Sequence, residues 1–264
     1  MLAAQRRDLL LARLHADGRI VAKELATELG ISEDSVRRDL RELATEGLCQ
    51  RVYGGALPAS PAVVDYAARQ RVAPHSKSAV ARRAAELVEP GMTAILDGGT
   101  TTLAVTAALP RDLAATIVTH SPTVASALLD HANIDVYLIG GRLFKHSAVT
   151  CGAAAAELAA GVHADLFLLG VTGVHSEAGL TTGDPDEAAM KRTLARRAAE
   201  TYVLASREKI GAVSEFSVVP FAEIAGLVTD ADPDSATLRS LRQQGVRIIG
   251  SSLSEPGPLH KPNM

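Results

Sequence analysis

The chain has 264 residues, enough for a small domain beside a larger one with its own core. A net charge of −3 excludes an indiscriminate polyanion binder, and 3% aromatic residues leave too few stacking platforms for single-stranded nucleic acid. Cys49 and Cys151 lack metal spacing and read as free thiols of a reducing, cytoplasmic compartment, no run approaches a membrane span, and charges interrupt the N-terminal apolar stretch, which argues against a signal peptide.

In chain order, residues 2–16 predict a helix with Leu9, Leu10 and Leu14 on its core side, ended by Gly18. Ile20 and Val21 read either as a short strand or as an apolar staple before a second helix at 22–29. The turn Gly30-Ile31-Ser32 follows. Gly30 can take the left-handed backbone that stops a helix, and Ser32 is a good N-cap for the next one, at 33–46. Glu33 and Asp34 suit the positive end of that helix's dipole. Val36, Leu40 and Leu43 form an inward stripe, and Arg37, Arg38 and Arg41 fall off it. Gly47 stops the helix. Residues 48–56 predict a two-stranded hairpin, with Gly54-Gly55 freeing the backbone near a phosphate.

Two short helices joined by so tight a turn, the second carrying arginines outward, suit the major groove of DNA. Ser35 and Arg37, nearest the helix start, are assigned to base edges; Arg38, Arg41, Arg51 and Tyr53 are assigned to phosphates, and Ser32 at the turn is counted with the same DNA-binding set. Residues 1–56 hold nine basic and nine acidic side chains, so Arg37, Arg38, Arg41 and Arg51 have to converge on one face. The competing reading is a solvated helix face neutralised by Asp39 and Glu42. The run Ser32 to Leu40, then Leu43, Gly47 and Arg51-Val52-Tyr53-Gly54-Gly55-Ala56, resembles the winged helix-turn-helix of the DeoR family of bacterial transcription regulators, with Ser35 where that family usually has Thr. On this resemblance residues 1–57 form a DNA-binding domain.

Pro58, Ser60 and Pro61 mark a linker over 58–74, with a connecting helix at about 63–72 that carries Tyr66 and Arg69. From residue 75 to 250, apolar runs at 93–96, 116–119, 135–139, 166–169, 202–205, 225–229 and 246–249 alternate with helical stretches. The pattern predicts an α/β domain with a mostly parallel sheet. Residues 251–264 read as a frayed polar tail. The runs end in small or polar residues, and in such sheets the carboxyl ends of the strands build the ligand crevice. The segments Asp97-Gly98-Gly99-Thr100-Thr101, Ile139-Gly140-Gly141, Gly170 to Val174, Gly179-Leu180-Thr181, Asp186 to Arg192 and Lys209-Ile210-Gly211 resemble the DeoR effector domain, a relative of ribose-5-phosphate isomerases and coenzyme A transferases.

Each candidate has two readings. Asp97, Gly98, Gly99, Thr100 and Thr101 form either an anion cradle at a helix N-terminus or a capped strand-to-helix turn. Arg142, after Gly141, either pairs with a phosphate or is a solvated arginine. Glu187 and Lys191 either grip a ligand or form a surface i, i+4 pair. Lys209 lies where the resemblance implies a ligand contact, although the residues just before it depart from the family pattern. His120 either donates to a sugar hydroxyl or caps the next helix with Ser121. No metal spacing and no cofactor motif is present.

The resemblance implies a regulator of sugar-metabolism genes, a repressor rather than an activator, controlled by a phosphorylated sugar. It binds double-stranded operator DNA as a homodimer or homotetramer, since paired half-sites need paired heads. The alternatives are an isomerase-like enzyme with a DNA-binding appendage, for which Glu187 is the candidate base, and a co-regulator that binds only protein.

Overall fold

The computed structural model describes residues 3–61 and 64–250; the tail expected at 251–264 lies outside the described residues. The N-terminal unit comprises α1 (Ala3–Asp17), β1 (Ile20–Val21), α2 (Ala22–Leu29), α3 (Glu33–Thr45), β2 (Cys49–Val52) and β3 (Gly55–Pro58). Its core is the predicted stripe of Val36, Leu40 and Leu43 against Leu10, Leu14 and Leu25. Gly30 ends α2 with φ 64°, and the Ser32 hydroxyl accepts from the Ser35 N–H to start α3. The expected two-stranded hairpin is a three-stranded sheet in the order β1-β3-β2, because Ile20 pairs with Ala56 and Val21 with Gly55. A Cβ on Gly55 would stand 1.7 Å from the Ile20 carbonyl oxygen. Pairing with β1 inside the protein therefore already requires a glycine at this position.

The expected linker is held rather than free. Val213 N–H donates to Pro58 O at 3.0 Å and Ser60 N–H to Val213 O at 3.1 Å. Ser60 Oγ also donates to Thr172 O at 2.5 Å. The connecting helix α4 (Tyr66–Arg71) is shorter than expected, and Ala73, with φ 45°, separates it from α5 (Pro74–Ala85).

The larger unit continues with β4 (Thr93–Leu96), α6 (Thr100–Ala108), β5 (Ala115–Thr119), α7 (Pro122–Ala127), β6 (Ile134–Leu138), β7 (Arg142–Phe144), β8 (Val149–Cys151), α8 (Ala153–Ala160) and β9 (Ala164–Gly170). There follow β10 (Gly173–His175), β11 (Gly179–Thr182), α9 (Pro185–Ala195), β12 (Ala198–Leu204), β13 (Phe216–Ser217), β14 (Gly226–Thr229), α10 (Ala236–Gln243) and β15 (Ile248–Gly250). The seven predicted strands are the seven members of one parallel sheet, in the order β15-β14-β12-β9-β4-β5-β6. Both faces of the central strands are covered, so β4 and β9 read as near-continuous apolar runs, while the edge strand β6 is largely exposed. Leu96, Leu168 and Leu204 pack on the side of α5, α6 and α7, whereas Ile95, Phe167, Leu169 and Val203 pack on the side of α8, α9 and α10.

The chain runs outward from β4 through β5 to β6 and then returns to lay β9 on the other side of β4. A sheet's ligand crevice lies where the strand order reverses, beyond the carboxyl ends. Here that place is bounded by Asp97 after β4 and Gly170 at the end of β9.

Candidate functional site

Two constellations stand out, one on each unit. On α3, Arg37, Arg38 and Arg41 are exposed, as are Arg51 and Tyr53 on the wing. Arg37, Arg51 and Tyr53 line one shallow groove between the helix and the β2–β3 turn. Four of the acids that balance the unit's charge pair with arginines off this face. Asp39, buried, accepts from Arg6 of α1, including a 3.0 Å bond from Nη2, and Glu46 pairs with Arg7. Glu28 and Asp17 pair with Arg13. Asp39 therefore does not neutralise the arginine face, because it turns inward. Among the described residues Arg38, Arg41 and Arg51 make no ion pair, while Arg37 is held by Glu33 at 2.6 Å. Ser35 Oγ lies 2.9 Å from Ser32 Oγ, so in the free protein this hydroxyl belongs to the helix cap.

The second constellation is the switch-point cleft. Gly98, Gly99, Thr100 and Thr101 form one wall, Gly170 to Thr172 the floor, and Glu187, Lys191 and Lys209 the sides. Gly99 takes φ 105°, a conformation L side chains rarely adopt, and turns the chain from β4 into α6. The N–H groups of the first turn of α6 have no intrahelical acceptor. Lys209 Nζ donates to Thr101 Oγ1 at 3.1 Å, and Ser147 Oγ donates to Glu187 Oε2 at 2.9 Å.

Asp97 and His120 sit beneath this cleft rather than in it, both 0% exposed. The Asp97 carboxylate accepts from Gly98 N–H, Gly170 N–H and His120 Nε2, each at 2.8 Å, and from Lys191 Nζ at 2.5 Å. The other ring nitrogen of His120 faces Thr150 O at 3.1 Å. With four protein donors on its two oxygens, Asp97 has nothing left for a ligand, and His120 likewise spends both nitrogens. The expectation that these two side chains touch the effector is corrected: they hold the strand ends together. Burial works to raise the Asp97 pKa, but Lys191 and the His120 hydrogen bond outweigh it and keep the carboxyl well below its usual range.

Gly141 and Arg142 are also displaced from expectation. Both lie on the exposed β7 hairpin, outside the cleft lining, and Arg142 faces Asp186 at 3.6 Å across solvent. In their place the cleft gains Arg69 and Lys77, from the connecting helix and α5, together with Glu208 and Thr182. Arg69 carried a signal, as a cation on a connecting helix. Lys77 sat in an alanine-rich helix with nothing local to mark it.

The electrostatics follow from this gathering. Arg69, Lys77, Lys191 and Lys209 face Asp97, Glu187 and Glu208, which leaves one positive charge in excess. Burial, reinforced by Lys77, Arg69 and Lys191, pulls Lys209 down to about 8 against the attraction of Glu208. Burial also lowers Arg69 and Lys77. Such a site disfavours its own cations and is relieved by an anion. The buried Cys151 thiol, pushed up to about 12 mainly by burial, is inert at neutral pH.

Two family profiles match the chain: the DeoR-like helix-turn-helix domain over residues 6–61 and the DeoR C terminal sensor domain over residues 72–231. Similar proteins include the HTH-type transcriptional regulator GlpR of Haloferax volcanii, 34% identical over 89% of this chain and 92% of that protein. The HTH-type transcriptional repressor GlcR of Bacillus subtilis is 31% identical over 92% of this chain and 94% of its own length. Ribose 5-phosphate isomerase A of Methanocaldococcus jannaschii superposes with a TM-score of 0.38 at 18% identity, over 51% of this chain and 53% of that one.

Proposed function

The chain belongs to the DeoR family of transcriptional regulators, and on that premise we propose that α3 and the wing hold operator DNA while the switch-point cleft takes a phosphorylated sugar that controls the grip. It is a sequence-specific DNA-binding regulator of sugar-related genes, on the repressor pattern of its relatives. The family and these relatives are regulators, not enzymes, so the isomerase alternative is not retained.

The observation that carries the DNA half is the set Arg38, Arg41 and Arg51, exposed and without an ion pair among the described residues. Arginines left free on one face of a capped helix and its neighbouring hairpin are set to exchange counterions for phosphates. On the sensor side, the first turn of α6, Thr100, Thr101 and Lys209 supply donors to the phosphate. Glu187 and Glu208 are the acceptors for sugar hydroxyls.

Two heads are needed for paired half-sites, which supports a homodimer or homotetramer; sedimentation of the full chain checks this. Among the described residues no helix is long and apolar enough to cross a membrane. Both described cysteines are free, which fits action in the cytoplasm. The deciding experiment joins a thermal-shift screen over sugar phosphates to an anisotropy titration with the gene's own upstream DNA. One sugar phosphate is expected to raise the melting midpoint and to change DNA affinity. A compound that does the first and not the second refutes control, and DNA binding that ignores sequence refutes the operator reading.

A further inference from the structure

We propose that Arg69, on the helix joining the two units, is a direct ligand of the effector's anionic group, so that the connecting segment is itself one wall of the sensor site. This rests on the effector reading of the cleft. Arg69 lies between the stretches matched by the two family profiles, which end at 61 and resume at 72.

Four side chains among the described residues bury a nitrogen or oxygen that meets no partner: Arg69, His131, Thr182 and Glu208. Three of these four, all but His131, line this cleft. Arg69 is 8% exposed and, among the described residues, makes no salt bridge. A guanidinium carries five N–H donors in a rigid fork. Here Nη2 donates to His146 O at 2.9 Å, and Nε, itself buried, meets no hydrogen-bond partner. A buried guanidinium with an idle Nε beside a free helix N-terminus is arranged for a phosphate or carboxylate, which it can take through two parallel bonds. Thr182 Oγ1 and Glu208 Oε2 offer the same ligand a hydroxyl contact and an acceptor, so the occupant combines an anionic end with a hydroxylated body.

The backbone keeps Arg69 in place without filling its fork. Lys77 Nζ donates to the Arg69 carbonyl, and the guanidinium lies 6.0 Å from the ring of Tyr66, whose hydroxyl donates to Thr123 at 3.0 Å. These contacts tie α4 to the sensor unit on both sides of the idle nitrogen. An anion bound to Nε then ties α4 to the glycine-threonine wall as well.

The test uses the full chain with inorganic phosphate as probe and chloride at matched ionic strength as control. It reads the melting midpoint and the amide hydrogen exchange of Tyr66–Arg71. In the wild type, phosphate is expected to raise the midpoint and to slow exchange in α4. Arg69→Gln is expected to weaken phosphate by about tenfold or more and to abolish the slowing in α4, and Lys209→Gln is expected to weaken phosphate too. If Lys209→Gln loses phosphate while Arg69→Gln binds like wild type, the inference is overturned and the effector reading stands. If phosphate does nothing to the wild type, both fall. Should Arg69→Gln fail to fold, Arg69→Lys decides: it keeps the charge and lacks Nε. Reduced phosphate affinity at an unchanged ligand-free midpoint upholds the inference, and wild-type affinity overturns it.

Discussion

Asp97 and Thr100 stand three residues apart in one loop and do different work. Asp97 anchors Lys191, His120 and two backbone N–H groups in a site sealed from water. Replacing it with Asn leaves the buried Lys191 ammonium without its counter-charge, which costs about 3–5 kcal/mol. The expected result is a melting midpoint lower by on the order of 10 °C, with or without ligand. Thr100 lines the cleft, half-buried, and among the described residues its hydroxyl makes no hydrogen bond. Thr100→Val is expected to keep the midpoint and lose response to sugar phosphates, and equal midpoints for Asp97→Asn and wild type would refute the anchoring role. Lys209 adds a pH dependence with a definite sign. Its folded pKa of about 8 lies below the ordinary 10.5. A bound anion favours the ammonium, so phosphate affinity should hold below about 8 and fall above it, approaching about tenfold per pH unit. Stability of the ligand-free protein runs the other way. Between those two values the unfolded chain binds more protons, so stability rises with pH. Lys77, also lowered by burial, contributes to stability with the same sign. Calorimetric titration of phosphate across this range checks the sign, and Lys209→Met should flatten the profile.

At the scale of elements, α3 separates its charges by face. Its acids include Asp39, which is drawn back to α1, and Glu33, which holds Arg37; Arg38 and Arg41 remain. Arg38→Ala is therefore expected to weaken binding to operator and to scrambled DNA alike, and to reduce the slope of log affinity against log salt by about one. A loss confined to the operator sequence would mean that Arg38 reads a base instead. This face was legible in the sequence because a capped turn and a 3.6-residue stripe fix which way each arginine points. The strands were legible for a related reason: the central ones, β4 and β9, are largely buried on both faces and so read as apolar runs, and the exposed edge strand β6 still carries Ile134, Val136 and Leu138. The hairpins β7–β8 and β10–β11 were not, since strands of three or four residues show too little alternation to be told from loops. The glycine-threonine wall announced itself by its turn chemistry. That His120 would lie under the cleft and Arg142 outside it depended on the pairing of β7 with β8, which no local pattern encodes. Lys77 shows the same limit, a cation brought to the cleft only by the packing of α5 on the sheet.

Across the whole molecule, the cleft and the wing are joined by a seam only a few residues long. Thr172 forms part of the cleft floor, and its carbonyl accepts from Ser60 Oγ. Lys209 stands four residues before Val213, whose backbone brackets Ala59 in a parallel bridge. Ala59 and Ser60 follow β3, and β3 pairs with the strand that carries Arg51. An effector that shifts Thr172 or Lys209 by a fraction of an ångström thus acts on the wing through backbone hydrogen bonds, without crossing a flexible tether. Control of this kind is a coupling free energy and is reciprocal: whatever factor the effector applies to DNA affinity, DNA applies to effector affinity. Ser60→Ala removes the Ser60 Oγ bond to the Thr172 carbonyl at the cleft floor and leaves the charged side chains of the cleft and the arginines of α3 and the wing in place. Its expected effect is to leave sugar-phosphate affinity and DNA affinity, each measured alone, near wild type. The factor linking them should shrink by about fivefold, the worth of one hydrogen bond of roughly 1 kcal/mol. Titrating each ligand in the presence and absence of the other completes the cycle for wild type and variant. An unchanged coupling factor in Ser60→Ala would move transmission away from this seam, to α4 or to the subunit interface.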